Sequence, residues 1–97
     1  MIITIDNAIR IKPTNYCWQV EYCRRKKGEL IWEPKTYHSS LGQAVSAAVQ
    51  REIRNHPAST ISDALRAVDA IGQKYDQAIR YAVDKSEKRI MRLAAIR

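Results

Sequence analysis

A chain of 97 residues has room for one hydrophobic core, because division would leave two halves too small to bury enough apolar surface. With 45% hydrophobic and 28% charged residues and no Phe, it reads as a single globular domain with a thin core, which excludes wholesale disorder. The formal charge of +7 favours polyanionic partners, whether nucleic acid, acidic protein surfaces or anionic lipid, without choosing among them.

That charge is unevenly placed. Residues 1–40 carry seven Lys and Arg against four acids, residues 41–84 five against five, and residues 85–97 five against one. Positive potential is therefore expected at a central loop and at the C-terminal end. Cys17 and Cys23 fall on one expected strand, about 20 Å apart at strand rise, too far to bridge. With no signal-peptide pattern at residues 1–10 and no apolar run long enough to span a bilayer, the expected compartment is the reducing cytoplasm.

In chain order, the first forty residues alternate as strands do. Ile3 and Ile5 precede a turn signal at Asp6-Asn7, Ile9 and Ile11 alternate with Arg10 and Lys12, and Pro13-Thr14-Asn15 signals a second turn. Next, Tyr16, Trp18, Val20 and Tyr22 occupy one face of a strand, with Cys17, Gln19, Glu21 and Cys23 on the other. The polar run Arg24-Arg25-Lys26-Lys27-Gly28 reads as a hairpin loop closed by a glycine. The return strand covers residues 29–37, and Pro34 assigns it to a sheet edge or a bulge.

After His38 the period changes to that of a helix. Ser40 with Gln43 has capping-box spacing, and Leu41, Val45, Ala48, Val49 and Ile53 line one face of a helix over residues 40–54, ended by Asn55-His56-Pro57. Thr60 with Asp63 repeats the cap and opens a second helix over residues 60–95. Its apolar stripe runs through Ile61, Leu65, Val68, Ile71, Tyr75, Ile79, Ala82, Val83, Ile90 and Leu93, with Asp76→Arg80 and Asp84→Lys88 as outer i,i+4 pairs. The fold class is thus α+β: a three- to four-stranded antiparallel sheet over residues 1–38, a short helix, and a long amphipathic one, all within one domain of residues 1–97.

A helix of that length extends about 50 Å, whereas an eight-residue strand extends only about 26 Å. Either it breaks near Gly72, its weakest helix former, or its uncovered stripe packs on another chain. The second alternative predicts a homodimer through Tyr75, Ile79, Val83, Ile90 and Leu93.

No catalytic constellation is legible, and neither metal nor cofactor nor small-molecule substrate is expected. Asp63, Asp69, Asp76 and Asp84 are spread along a helix surface, His38 and His56 stand alone, and the serines at the helix start are explained by capping. Two basic elements remain as binding candidates. One is Arg24, Arg25, Lys26 and Lys27, at the tip of a hairpin bearing Trp18, Tyr22 and Trp32. The other is Lys85, Lys88, Arg89 and Arg92, on one face of the last helix, where cations also oppose the negative end of the helix dipole. That helix lacks the Trp and Phe that anchor interfacial helices, so no membrane partner is expected.

Residues 16–53 combine a W-x-V-x-Y strand, a basic Gly-containing turn, a third strand and a Ser-started helix with an early Ala. This pattern resembles the arm-binding domains at the N-termini of tyrosine-recombinase integrases. The resemblance implies DNA-facing roles for Arg24, Arg25, Lys26, Lys27 and Lys35. Over residues 3–53, the elements I-x-I-D-N-x-x-R-I, Y-x-W, W-x-x-x-x-Y and S-L-x-Q-A-V are similar to those of small uncharacterised phage and prophage proteins. That likeness implies a phage or prophage origin and with it two roles, binding nucleic acid during infection or binding and disabling a host protein, as an anti-defence factor does. Together with the charge pattern and the lack of a catalytic constellation, the expectation is a non-enzymatic protein of the bacterial cytoplasm that binds nucleic acid, DNA above all, or else an acidic host protein.

Overall fold

Asp6 builds the first turn. Its Oδ1 accepts the backbone N–H groups of Ala8 at 2.8 Å and Ile9 at 3.0 Å, which folds the chain back on itself as an Asx turn does. Thr14 builds the second turn by accepting the N–H of Cys17 at 3.0 Å through its hydroxyl. These turns connect β1 (Ile3–Thr4), β2 (Ile9–Pro13) and β3 (Trp18–Lys26), and β4 (Glu29–His38) completes a four-stranded antiparallel sheet in chain order. Two helices follow, α1 (Leu41–Asn55) and α2 (Ile61–Ala95), giving the α+β arrangement expected from the sequence. The structure is a computed structural model that describes the backbone of residues 1–95 and the side chains of residues 1–86.

The β3–β4 connection is tighter than the sequence suggests. Arg24, Arg25 and Lys26 belong to β3, and only Lys27 and Gly28 form the turn, with φ of 52° and 83°. Positive φ at both central residues is the two-residue geometry that matches strand twist, so the ladder continues to the tip and no basic loop forms. Because Lys27 bears a Cβ in a left-handed conformation, Lys27→Asn is expected to stabilise the protein by roughly 0.5–1 kcal/mol. The midpoint of urea unfolding checks this. At the other end of β3, Tyr16 lies in the preceding turn and is fully exposed, so the aromatic face begins at Trp18.

Pro34 occupies an edge strand and a bulge together. Val20 pairs with Thr36 while Glu21 pairs with Pro34, leaving Lys35 as the extra residue.

Both helices start as their caps dictate. The Ser40 hydroxyl accepts the N–H of Gln43 at 3.2 Å, and the Thr60 hydroxyl accepts that of Asp63 at 3.1 Å. The Gln43 side chain accepts from the Ser39 hydroxyl at 2.8 Å.

The helices cover one sheet face. Ile3, Ile5, Ile9, Ile11 and Val20 meet Ala44 and Ala48 of α1 and Ile71, Tyr75 and Ala82 of α2, with Trp18, Tyr22 and Val49 closing the margin. Alanines on α1 allow it to approach the sheet closely, and Tyr75 fills the space that remains as the largest fully buried side chain. The opposite sheet face has no helix against it.

α2 continues through Gly72 without a break. It touches β1 and α1, and among its described side chains the buried ones are Ala67, Ile71, Tyr75 and Ala82. That face is narrower than the apolar stripe in the sequence, so Ile61, Leu65 and Val68 are left exposed at its flank. A helix longer than the sheet also elongates the molecule: its radius of gyration is 15.8 Å, against about 12.5 Å for a compact chain of this length.

Candidate nucleic-acid interface

Strand alternation divides the basic residues of the hairpin between two faces. Arg24 pairs with Ile31 and lies on the helix-covered side, beyond the helices, where its Nε meets Glu33 at 2.6 Å. Lys35 meets the same carboxylate at 3.1 Å. The hydrogen bond from Lys35, assisted by the charges of Arg24 and Lys26, holds the Glu33 carboxyl below its ordinary value against the opposing effect of burial. Two of the five residues assigned to DNA by the integrase likeness thus share a single carboxylate, which offsets one of their two charges. Arg25, Lys26 and Lys27 make no ion pair among the described residues and surround the turn, all exposed.

The uncovered sheet face carries a feature absent from the sequence reading. Arg10 and Glu21 are directly paired across β2 and β3, with Nε and Oε1 2.5 Å apart, and Glu21 is 5% exposed. The Arg10 guanidinium lies over the Trp32 ring, 4.6 Å from its centroid. Arginine is suited to this double contact, since its planar fork bonds a carboxylate at the edge and stacks through its face. Trp32 therefore belongs to the open face and not to the core. Leu30 and Tyr37 flank it on the same strand, each more than half exposed.

At the other basic element, Lys85 is exposed with its ammonium 5.6 Å from the centre of the Tyr81 ring. The side chains of Lys88, Arg89 and Arg92 lie outside the described residues. Of the residues assigned to a dimer interface, Tyr75 is a correction. It is 2% exposed in the protein's own core, because α2 turns that face to the sheet and α1. Ile79 packs partly against the same core, Val83 is exposed, and the side chains of Ile90 and Leu93 lie outside the described residues.

A second cluster joins three elements. The Lys74 ammonium bonds Asp6 and Glu52, both at 2.9 Å, tying the β1–β2 turn to α1 and α2. Beside it, Tyr22, Arg51, Glu52, His56, Ile71 and Lys74 contribute to an open cleft of about 340 Å³. Within it Lys74 bonds one oxygen of Glu52, the other carboxylate oxygen of Glu52 is buried without a hydrogen-bond partner among the described residues, and the Arg51 guanidinium lies over the Tyr22 ring at 4.5 Å. His38 lies elsewhere, bonded to Thr36 at 2.9 Å. No group of three metal-ligating side chains occurs among the described residues, nor does any helix long and apolar enough to cross a membrane.

The Lys74 cluster contributes to the pH dependence of stability at both extremes. Burial alone would raise the Asp6 carboxyl, but hydrogen bonds from Lys74 and from the Ala8 and Ile9 amides outweigh it and hold the group below its ordinary value. Burial alone would lower the Lys74 ammonium, yet its bonds to Glu52 and Asp6 raise it. Burial also pushes the Tyr75 phenol well up, with the Glu52 charge adding to the shift. The folded protein thus holds the Lys74 and Tyr75 protons more tightly than the unfolded chain does, so their contribution is lost as pH rises above about 10. Asp6 acts in the opposite sense, and its contribution disappears as pH falls below about 4. Urea midpoints measured across pH are expected to fall at both extremes, and Lys74→Met should flatten both limbs.

Compared with protein-family models, with curated proteins and with solved structures, the chain matches none.

Proposed function

We propose that this protein is a non-enzymatic nucleic-acid-binding protein of phage or prophage type, acting through the β3–β4 hairpin, with the basic C-terminal part of α2 as a second contact. The observation that supports it is the group of exposed cations Arg25, Lys26 and Lys27, which no carboxylate pairs with among the described residues. Cations without an ion pair at the turn retain more of the field that attracts phosphate than Arg24 and Lys35, which contact the Glu33 carboxylate, and Lys26 acts on that carboxylate only through its charge. Binding of this kind falls steeply with salt, because each neutralised phosphate releases counterions.

The test is fluorescence anisotropy with labelled mixed-sequence duplex and single strand across a salt series. The triple variant Arg25→Ala/Lys26→Ala/Lys27→Ala is expected to reduce the log-log salt slope by about 2–3. Absence of binding to either probe at low salt and micromolar protein overturns the proposal.

A second reading, a protein partner such as a host protein or a second copy of the chain, is favoured by a different observation. Ile61, Leu65 and Val68 form an exposed apolar row on α2, with Ile61 82% exposed. A contact there buries apolar surface and withstands salt, unlike phosphate binding. Light scattering separates the monomer from the dimer, and capture from a host lysate after nuclease treatment addresses the host protein.

A further inference from the structure

We infer that the uncovered sheet face is a stacking platform for single-stranded nucleic acid; this rests on the nucleic-acid reading and names the ligand class and the surface. The register fixes which side chains share that face. Leu30, Trp32, Pro34 and Tyr37 pair with Arg25, Cys23, Glu21 and Gln19, so they form one row along β4 on the side away from the helices. At strand rise that row is on the order of 23 Å long. Arg10 and Lys12 project from β2 on the same face, and Arg25 stands at the end of β3 beside Leu30.

Three features of this face suit unpaired bases. Tyr37 is 60% exposed and Leu30 68% exposed, which places two large, largely apolar side chains on a solvated face. The Arg10 guanidinium lies over Trp32, 4.6 Å from its centroid, and is fixed by Glu21, so that it offers a second contact surface without further ordering cost. Lys12 and Arg25, with Lys26 and Lys27 at the turn, supply positive charge along the margins and make no ion pair among the described residues.

The same features disfavour a duplex as the ligand. Bases in a duplex already stack on each other, so an exposed ring and a guanidinium plane have no base face to meet. In a single strand each base offers a free face, and aromatic rings and arginine planes between phosphate-binding cations are the means by which such strands are held. The helices cannot compete for this surface, because both pack on the opposite face of the sheet.

The experiment measures anisotropy of a labelled mixed-sequence single strand and of the corresponding duplex with wild type, Tyr37→Ala, Tyr37→Phe and the triple hairpin variant. The single strand is expected to bind at least about fivefold more tightly than the duplex, the equivalent of one stacked base. Tyr37→Ala should weaken single-strand binding by about 5- to 150-fold, with duplex binding unchanged, and Tyr37→Phe should retain it. Thermal unfolding of Tyr37→Ala verifies the fold. Independently of that variant, a single strand should quench Trp32 fluorescence in Trp18→Phe protein, since Trp18 lies on the helix-covered face. If duplex binds as well as single strand and only the hairpin variant weakens it, the platform is overturned and the nucleic-acid reading stands. If neither probe binds, both fall together.

Discussion

Tyr75→Ala is expected to lower the free energy of unfolding by about 3–5 kcal/mol. Tyr75 is 2% exposed and is the largest fully buried side chain, packed where α2 meets the sheet and α1. Truncation removes its contacts and leaves a cavity that two helices and a sheet cannot close by small shifts. Since single domains are stable by only about 5–15 kcal/mol, a loss of this size brings the protein close to unfolding at ordinary temperature. Tyr75→Phe is expected to do the reverse. The phenolic oxygen is buried with no hydrogen-bond partner, so its removal should raise stability by about 1 kcal/mol. It should also weaken the alkaline decline, because the raised phenol is one of its causes. Urea unfolding of both variants at neutral and alkaline pH checks the pair, and a stable Tyr75→Ala protein would contradict the packing described for α2.

The second large effect is expected on the open face. Arg10→Met removes the partner of a carboxylate that is 5% exposed and leaves Glu21 charged, desolvated and unpaired. Loss of one member of a buried ion pair costs about 3–5 kcal/mol, and because the Arg10 side chain is 22% exposed the lower end is expected here. For a domain of this size a loss of about 3 kcal/mol lowers Tm by roughly 12–24 °C. The double variant Arg10→Met/Glu21→Met should recover most of it, since an apolar pair of similar volume needs no charge partner. Thermal unfolding of the single and double variants provides the test. A single variant as stable as wild type would mean that water solvates Glu21 on this face.

The double variant also separates stability from binding. With Arg10 replaced, Trp32 keeps its place on β4 but loses the guanidinium above it. The stacking platform then predicts weaker single-strand binding by a protein whose fold has been restored.

Much of the architecture follows from local pattern. Ile9, Ile11 and Val20 alternate with polar residues at period two, Ser40 and Thr60 precede apolar positions at helical spacing, and Pro34 excludes a central strand. Each preference is set by a residue and its near neighbours along the chain, so the sheet, both helix starts and the choice of an edge or a bulge for the Pro34 strand are legible without a structure. The hairpin is a boundary case. Its position is marked by Gly28, but the continuation of β3 through Arg24, Arg25 and Lys26 depends on cross-strand bonds to Ile31, Leu30 and Glu29.

Pairing over long separations is not legible in this way. Glu33 neutralises Arg24 only because β4 returns beside β3, and Lys74 reaches Asp6 across 68 positions of sequence. The width of the α2 stripe in the sequence likewise does not say which part is buried. Tyr75 and Ile71 are enclosed, and Ile61 and Leu65 are exposed, because the helix packs on α1 and β1 through the face that bears Ile71 and Tyr75. Alternation and capping act between neighbours in the chain and can be read in order. Neutralisation of charge and selection of a buried face depend on distances through space, which exist only after the chain has folded.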